Sequence, residues 1–182
     1  QKPLRILQTV LREIDAEKYD AAAVVEYMKK AGCNALVVNG GGIFDFFQSS
    51  LEYAAPVPQL GKFDVLKAIS EACRAAGFRT IVRIDFRGVT KDRWEKHPDW
   101  FAVDENGRPL INAAQSLSLC APCYEGYYRN EYAAQFLRYL LDSYPIDGIW
   151  HNAALFPTIC HCKRCKDSFR LFSGKEIPTE GK

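Results

Sequence analysis

The stretch "ALVVNGGGIFDF", residues 35–46, decides which α/β fold this chain can have. It opens as a continuous apolar run, the pattern of a strand buried on both faces. It then breaks into Asn39 and three consecutive glycines. A dinucleotide-binding turn would read G-x-G-x-x-G and lead directly into a helix. This turn has neither the spacing nor a helix start. Loop residues follow it to about residue 61, among them Pro56, Pro58 and several aromatics.

The pattern repeats in both directions along the chain. Upstream, residues 4–11 ("LRILQTVL") alternate as a strand. The next segment sets Ala21, Val24, Val25 and Met28 on one helical face, and Gly32 stops it. Downstream, a second helix carries Val65, Leu66, Ile69, Ala72, Cys73 and Ala76 on one face and ends at Gly77. "FRTIVRIDF" (78–86) is a third strand, followed by a long connection over 87–124 that includes the turn "DENGRP". A third helix over about 125–144 has Ala133, Phe136, Leu137, Leu140, Leu141 and Tyr144 on one face, closed by Pro145. "IDGIWHN" (146–152) is a fourth strand, and Cys162 to Phe172 is a short fourth helix.

The order βαβαβαβα predicts a parallel sheet with right-handed crossovers. The connections from strand to helix are long and polar, and those from helix to strand are short. Candidate site residues therefore collect at the C-terminal ends of the strands. Two architectures fit: an open doubly wound sheet, or the first half of a (β/α)8 barrel. The chain is expected to be a single domain over residues 1–182.

Bulk composition narrows the function. Of 182 residues, 48% are apolar and 25% charged, an ordinary globular composition. The net charge is +2, which gives no electrostatic reason to expect a nucleic acid or an anionic membrane as partner. No apolar run reaches the roughly 18–20 residues of a membrane helix. The chain begins with Gln, so its natural N-terminus is expected to have been trimmed. Seven cysteines are many. Their clustering argues for reduced, metal-binding thiols rather than a disulfide framework, which favours a cytoplasmic setting.

Polar residues at strand ends form the candidate pocket floor. They are Arg12 and Glu13 after the first strand, Asn39 after the second, Arg83 and Asp85 at the third, and His151 and Asn152 at the fourth. Arg83 and Asp85 share one side of their strand. With Ile84 packed under helices, both face the barrel mouth, where they suit sugar hydroxyls and equally suit a structural ion pair. His151 and Asn152 cannot both point inward. Asp147 lies at the wrong end of its strand for catalysis. Trp100 and Phe101 are the loop aromatics best placed by sequence to stack on a sugar.

"CHCKRC" (160–165) is the most specific motif. Its C-x-C-x2-C spacing lets three thiolates face one ion, and zinc takes four ligands in a tetrahedron. Cys120, Cys123, His161 and His151 are the candidates for the fourth. A site of four thiolates is closed, hence structural. The competing readings are three unliganded thiols or a redox centre, and the thioredoxin-like order that a redox C-x-x-C needs is absent.

"LQTVLREIDA", "ALVVNGGGIFDF", "IVRIDF", "HPDWFAVDENGRP", "YPIDGIWHN" and "CHCKRCKDSFRLFSG" occur in an order that resembles the family called hypothetical glycosyl hydrolase 6. That resemblance implies the N-terminal half of a (β/α)8 (TIM) barrel acting on a carbohydrate. The cysteine stretch is also similar to glycoside hydrolase family 42, the retaining β-galactosidases. That similarity implies a structural zinc held by Cys160, Cys162 and Cys165 with Cys120 as fourth ligand and Cys123 free. The fourth strand of family 42 ends in Asn-Glu, where the Glu is the acid/base. Here the pair is Asn152-Ala153, so the Asn matches and the acid does not. Families resembling the α-L-fucosidases end this strand with an Asp nucleophile, near the place of Asn152. The resemblance marks Asn152 as a catalytic position; the strand-end and loop readings add Asp85, with Glu13 the other carboxylate offered, as acid/base, and Asn39, Arg83, Trp100 and His151 as substrate contacts. The resemblance also implies a missing second half, supplied by self-association or by the remainder of a longer chain. The alternative is a non-catalytic, zinc-stapled α/β module that binds carbohydrate or a protein.

Overall fold

The computed structural model describes residues 3–114, 117–152 and 159–179, the backbone alone at 112–114 and 117. In chain order the helices and strands are β1 (Ile6–Gln8), α1 (Ala21–Ala31), β2 (Ala35–Gly41), α2 (Val65–Ala75), β3 (Arg79–Ile84), α3 (Lys91–Trp94), β4 (Ile111–Ala114), β5 (Leu117–Cys120), α4 (Ala133–Ser143), β6 (Gly148–His151) and α5 (Lys163–Ser173). The chain divides into two compact units. One is Gln1–Asp85 with Leu137–Asn152, and the other is Phe86–Phe136 with Ala153–Lys182.

The first unit holds a four-stranded sheet in the order β1-β2-β3-β6, parallel throughout. Each strand lies beside its predecessor in the βα series. A doubly wound sheet reverses its strand order partway. This sheet never does, so the ambiguity left by the sequence resolves to part of a (β/α)8 barrel. Strand β1 is shorter than the predicted 4–11, because Glu13–Lys18 turn into a 3-10 helix steadied by the Arg12–Asp15 ion pair at 2.9 Å. Arg12 is thereby committed to a local contact.

Helix α1 buries Val25 and Met28, and Gly32 ends it in the left-handed conformation. Helix α2 buries Val65, Leu66, Ile69 and Cys73. Asp20 and Asp64 cap the two helices by accepting the N–H groups of Ala23 and Lys67. Both are side-chain N-caps, each satisfying a backbone donor that the helix cannot. The glycine-rich loop packs a small core of its own, with Phe46, Val57 and Leu60 against Ala16 and Val65. Loop residue Phe47 stacks on Tyr139 of α4 at 5.8 Å.

The second unit departs from the sequence-based expectation. Within 87–124 the chain forms an antiparallel pair, β4 with β5, which periodicity does not reveal in such short segments. The predicted 125–144 helix begins instead as a π-turn over Tyr128–Tyr132, and α4 starts at Ala133. Its buried stripe is Ala133, Phe136, Leu140 and Tyr144. Leu141, expected on that stripe, lies at its flank and is exposed. Most loop aromatics here are core. Phe86 meets Tyr128 and Phe136 at 5.7 and 5.3 Å, and Phe101 meets Tyr128 at 5.3 Å.

Candidate strand-end site and cysteine cluster

Strand parity assigns the faces of the first unit's sheet. Register partners on neighbouring parallel strands point the same way, and successive residues alternate. Asn39 pairs with Arg83, and Arg83 with Trp150. These three share one face, and Asp85 and Asn152 extend it. On the other face Leu36, Val38, Val82 and Ile84 are buried, and α2 packs against β2 and β3. The first face is therefore the one that looks into a barrel.

Asp85 is gripped from both neighbouring strands. From the β6 side, Asn152 Nδ2 donates to Asp85 Oδ2 at 2.8 Å, while the Asn152 backbone N–H donates to Ile84 at 2.8 Å. From the β2 side, the Asp85 N–H donates to the Gly41 carbonyl at 2.9 Å. Gly42 lies flat against this residue, with φ at 113°. A Cβ there would stand 2.3 Å from the Asp85 carbonyl oxygen. The run of glycines in the opening sequence stretch thus lets one backbone approach another. The pairing shifts register between Asn39 and Gly41, a bulge of the kind that re-aims side chains at sheet edges and sites.

Arg83 approaches Asp85 Oδ2 at 3.9 Å, and its buried Nε has no hydrogen-bond partner among the described residues. The result is a carboxylate, a guanidinium and an amide on one face, set to accept from and donate to adjacent hydroxyl groups. Asn39 uses its Oδ1 to accept the Leu11 N–H at 3.2 Å, so it ties the end of β1 to β2. Asp147 accepts the Thr80 N–H at 2.9 Å, the structural role its position predicts.

Two expected substrate contacts sit differently. His151 pairs in register with Ile84, so it belongs to the helix-covered face and not to the face of Asp85. Trp100 lies in the second unit, where His97 stacks on it at 3.9 Å and Tyr127 lies 4.5 Å away. Trp100 is thus packed among ring neighbours of its own unit. Trp150, not singled out from sequence, is the aromatic on the face of Arg83 and is 44% exposed. Its parity with Asn152 was the signal available in the sequence.

In the second unit, Cys160, Cys162 and Cys165 gather around Cys123. Cys123 Sγ lies 3.3 Å from Cys165, 3.5 Å from Cys162 and 3.8 Å from Cys160, and all four sulfurs lie within 4.8 Å of one another. Ligands at about 2.3 Å in a tetrahedron place sulfurs about 3.8 Å apart. The four cysteines could therefore hold a metal ion. The expectation that Cys120 is the fourth ligand is corrected. Cys120 is locked in β5, exchanging both backbone hydrogen bonds with Val89, and is buried. Cys123 comes three residues later, past Pro122, where the strand has ended and the side chain can turn to the cluster. His161 is buried beside its backbone bond to Val103 and is not among the clustered groups.

The thiols perturb one another strongly. The hydrogen bond between Cys160 and Cys123 holds Cys160 down to about 5, while that same contact together with burial pushes Cys123 far up. Burial raises Cys165 to about 12. The Cys160 thiolate forms readily, while hydrogen bonding at Cys123 and burial at Cys165 hold theirs back. A cation is the group that would relieve this. All seven cysteines are free thiols.

Solved structures share this architecture. The α-L-fucosidase isoenzyme 2 of Paenibacillus thiaminolyticus is similar with a TM-score of 0.71 at 18% identity, over 94% of this chain and 26% of that one. A noncanonic maltogenic α-amylase from Thermotoga neapolitana gives 0.61 at 18% identity, over 94% and 43%. The α-galactosidase of Thermus thermophilus gives 0.58 at 19% identity, over 82% and 30%. The fold is thus that of TIM-barrel glycoside hydrolases, of which this chain spans less than half the length. Comparison with curated proteins gives no match. The sequence pattern of the hypothetical glycosyl hydrolase 6 family matches residues 20–153, and the chain belongs to that family.

Proposed function

We propose that this chain supplies the first four βα units of a glycoside hydrolase that binds carbohydrate at the C-terminal ends of its strands. The observation that carries the reading is the doubly gripped Asp85, on one face with Arg83, Asn152 and Trp150. In this reading Asp85 exchanges a proton with the glycosidic oxygen or the attacking water. Asn152 holds its Oδ2, Arg83 donates to a sugar hydroxyl, and Trp150 stacks on the apolar face of the ring. Glycosidases work with two carboxyl groups. Asp85 is one of them here, and the second is assigned to strands beyond these four. Asn39 serves the same floor indirectly, by fixing the end of β1.

The four-cysteine cluster is read as a structural zinc site of Cys123, Cys160, Cys162 and Cys165. The soft, closed donor set supports zinc, and such sites contribute about 10–16 kcal/mol to folding in small domains. The rival function is a non-catalytic, zinc-stapled module that binds carbohydrate or a protein partner, favoured by Ala153, which puts no acid after Asn152. Ala153, where family 42 has its acid, lies outside the described residues. The test is the full-length protein and its Asp85→Asn variant against a panel of aryl α- and β-glycosides. Turnover lost in the variant supports the enzyme. Glycan binding without turnover in either protein supports the module.

A further inference from the structure

Helix α5 has little of its own to hold it. None of its eleven residues is buried, and Leu171 and Phe172 are 91% and 93% exposed. It makes no extensive contact with another described strand or helix. An isolated helix shorter than about 12–15 residues is marginal in water. Its N-terminal turn makes matters worse. Lys163, Arg164 and Lys166 stand there with no acidic residue in the first turn, opposing the positive end of the helix dipole.

What ties α5 down is the cysteine cluster. Cys162 is its N-cap, with Sγ accepting the Cys165 N–H at 3.5 Å. Cys165, in its first turn, contacts Cys123. Among the described residues, two further hydrogen bonds lead to Glu125: Ser168 Oγ donates to its Oε2 at 3.2 Å, and Arg164 donates to its carbonyl at 3.4 Å. Four thiolates around a dication sum to two negative charges at a helix N-terminus that carries three cations. The ion would thus supply both the anchor and the missing cap charge.

We infer that α5 is a metal-conditional element, helical and docked when Cys123, Cys160, Cys162 and Cys165 hold an ion and released when they do not, while the sheet of the first unit stays folded. The inference rests on the metal reading of the cluster and is independent of the glycosidase reading. Its consequence is a switch. Metal removal would free the segment that carries Leu171 and Phe172.

The test is hydrogen exchange by mass spectrometry on the full-length protein, loaded with zinc and then stripped by a chelator, with zinc content measured in each state. Amides of α5 are expected to exchange at least about 100-fold faster without zinc, while those of β2 and β3 keep their protection. Glu125→Ala, which leaves all four thiols in place, should retain zinc and change α5 exchange by only a few-fold. Unchanged α5 protection after zinc is gone overturns the inference alone. So does loss of protection across the whole chain, or release of α5 in Glu125→Ala with zinc retained. Failure to bind zinc at all overturns the metal reading and the inference with it, and leaves the carbohydrate site untouched.

Discussion

Asp85 is the residue on which the proposed chemistry turns, and its neighbours define how far it can move. Asn152 fixes one oxygen, and Gly42 fixes the backbone. Asn152→Ala should lower turnover in the full-length protein by about 10-fold or more with the fold intact by circular dichroism, because the general acid/base is then misaimed. Gly42→Ala should destabilise by about 2–4 kcal/mol in urea unfolding, since a Cβ meets the Asp85 carbonyl and the backbone conformation is one L-residues rarely adopt. The cysteines give a sharper comparison. Cys123→Ser should lose the bound metal and Cys120→Ser should keep it, measured by metal content after gel filtration. Sequence spacing could not separate the two, because both lie in one short C-x-x-C; the end of β5 decides between them.

At the scale of elements, the four parallel strands and four of the five helices were legible because apolar runs and 3.6-residue stripes leave strong patterns. The shared side of Arg83 and Asp85 was legible for a related reason: alternation along a strand is enough to place them together. The β4–β5 pair was not, because four-residue strands carry too few positions for a period. The π-turn before α4 was hidden for a different reason, since it keeps a helical composition while changing the hydrogen-bond ring. The caps were also unread, although Asp20 and Asp64 stand where caps belong. Asp64 does double work, accepting from the Lys67 N–H and, at 2.8 Å, from the Tyr144 hydroxyl. Asp64→Ala should therefore cost about 1–3 kcal/mol, and Tyr144→Phe about 1 kcal/mol, in the same unfolding assay.

At the scale of the molecule, the first unit is an arc of a barrel. Its described sheet ends at β1 on one side and β6 on the other, and apolar residues stand open on the face that would look inward, Ile6 at 50% exposure and Trp150 at 44%. Exposed parallel edges with apolar side chains attract further strands. The 182-residue chain alone should accordingly self-associate with rising concentration, as read by light scattering. A monomer at all concentrations would count against the arc. The central claim, however, is that this arc carries part of a glycosidase centre, and the most direct measurement is hydrolysis of aryl α- and β-glycosides by the full-length protein beside Asp85→Asn. Turnover of one glycoside class, reduced by about 10²–10⁴-fold in the variant without loss of stability, is the predicted result. Equal turnover in both proteins would contradict the role given to Asp85, and no turnover across the panel would contradict the enzyme.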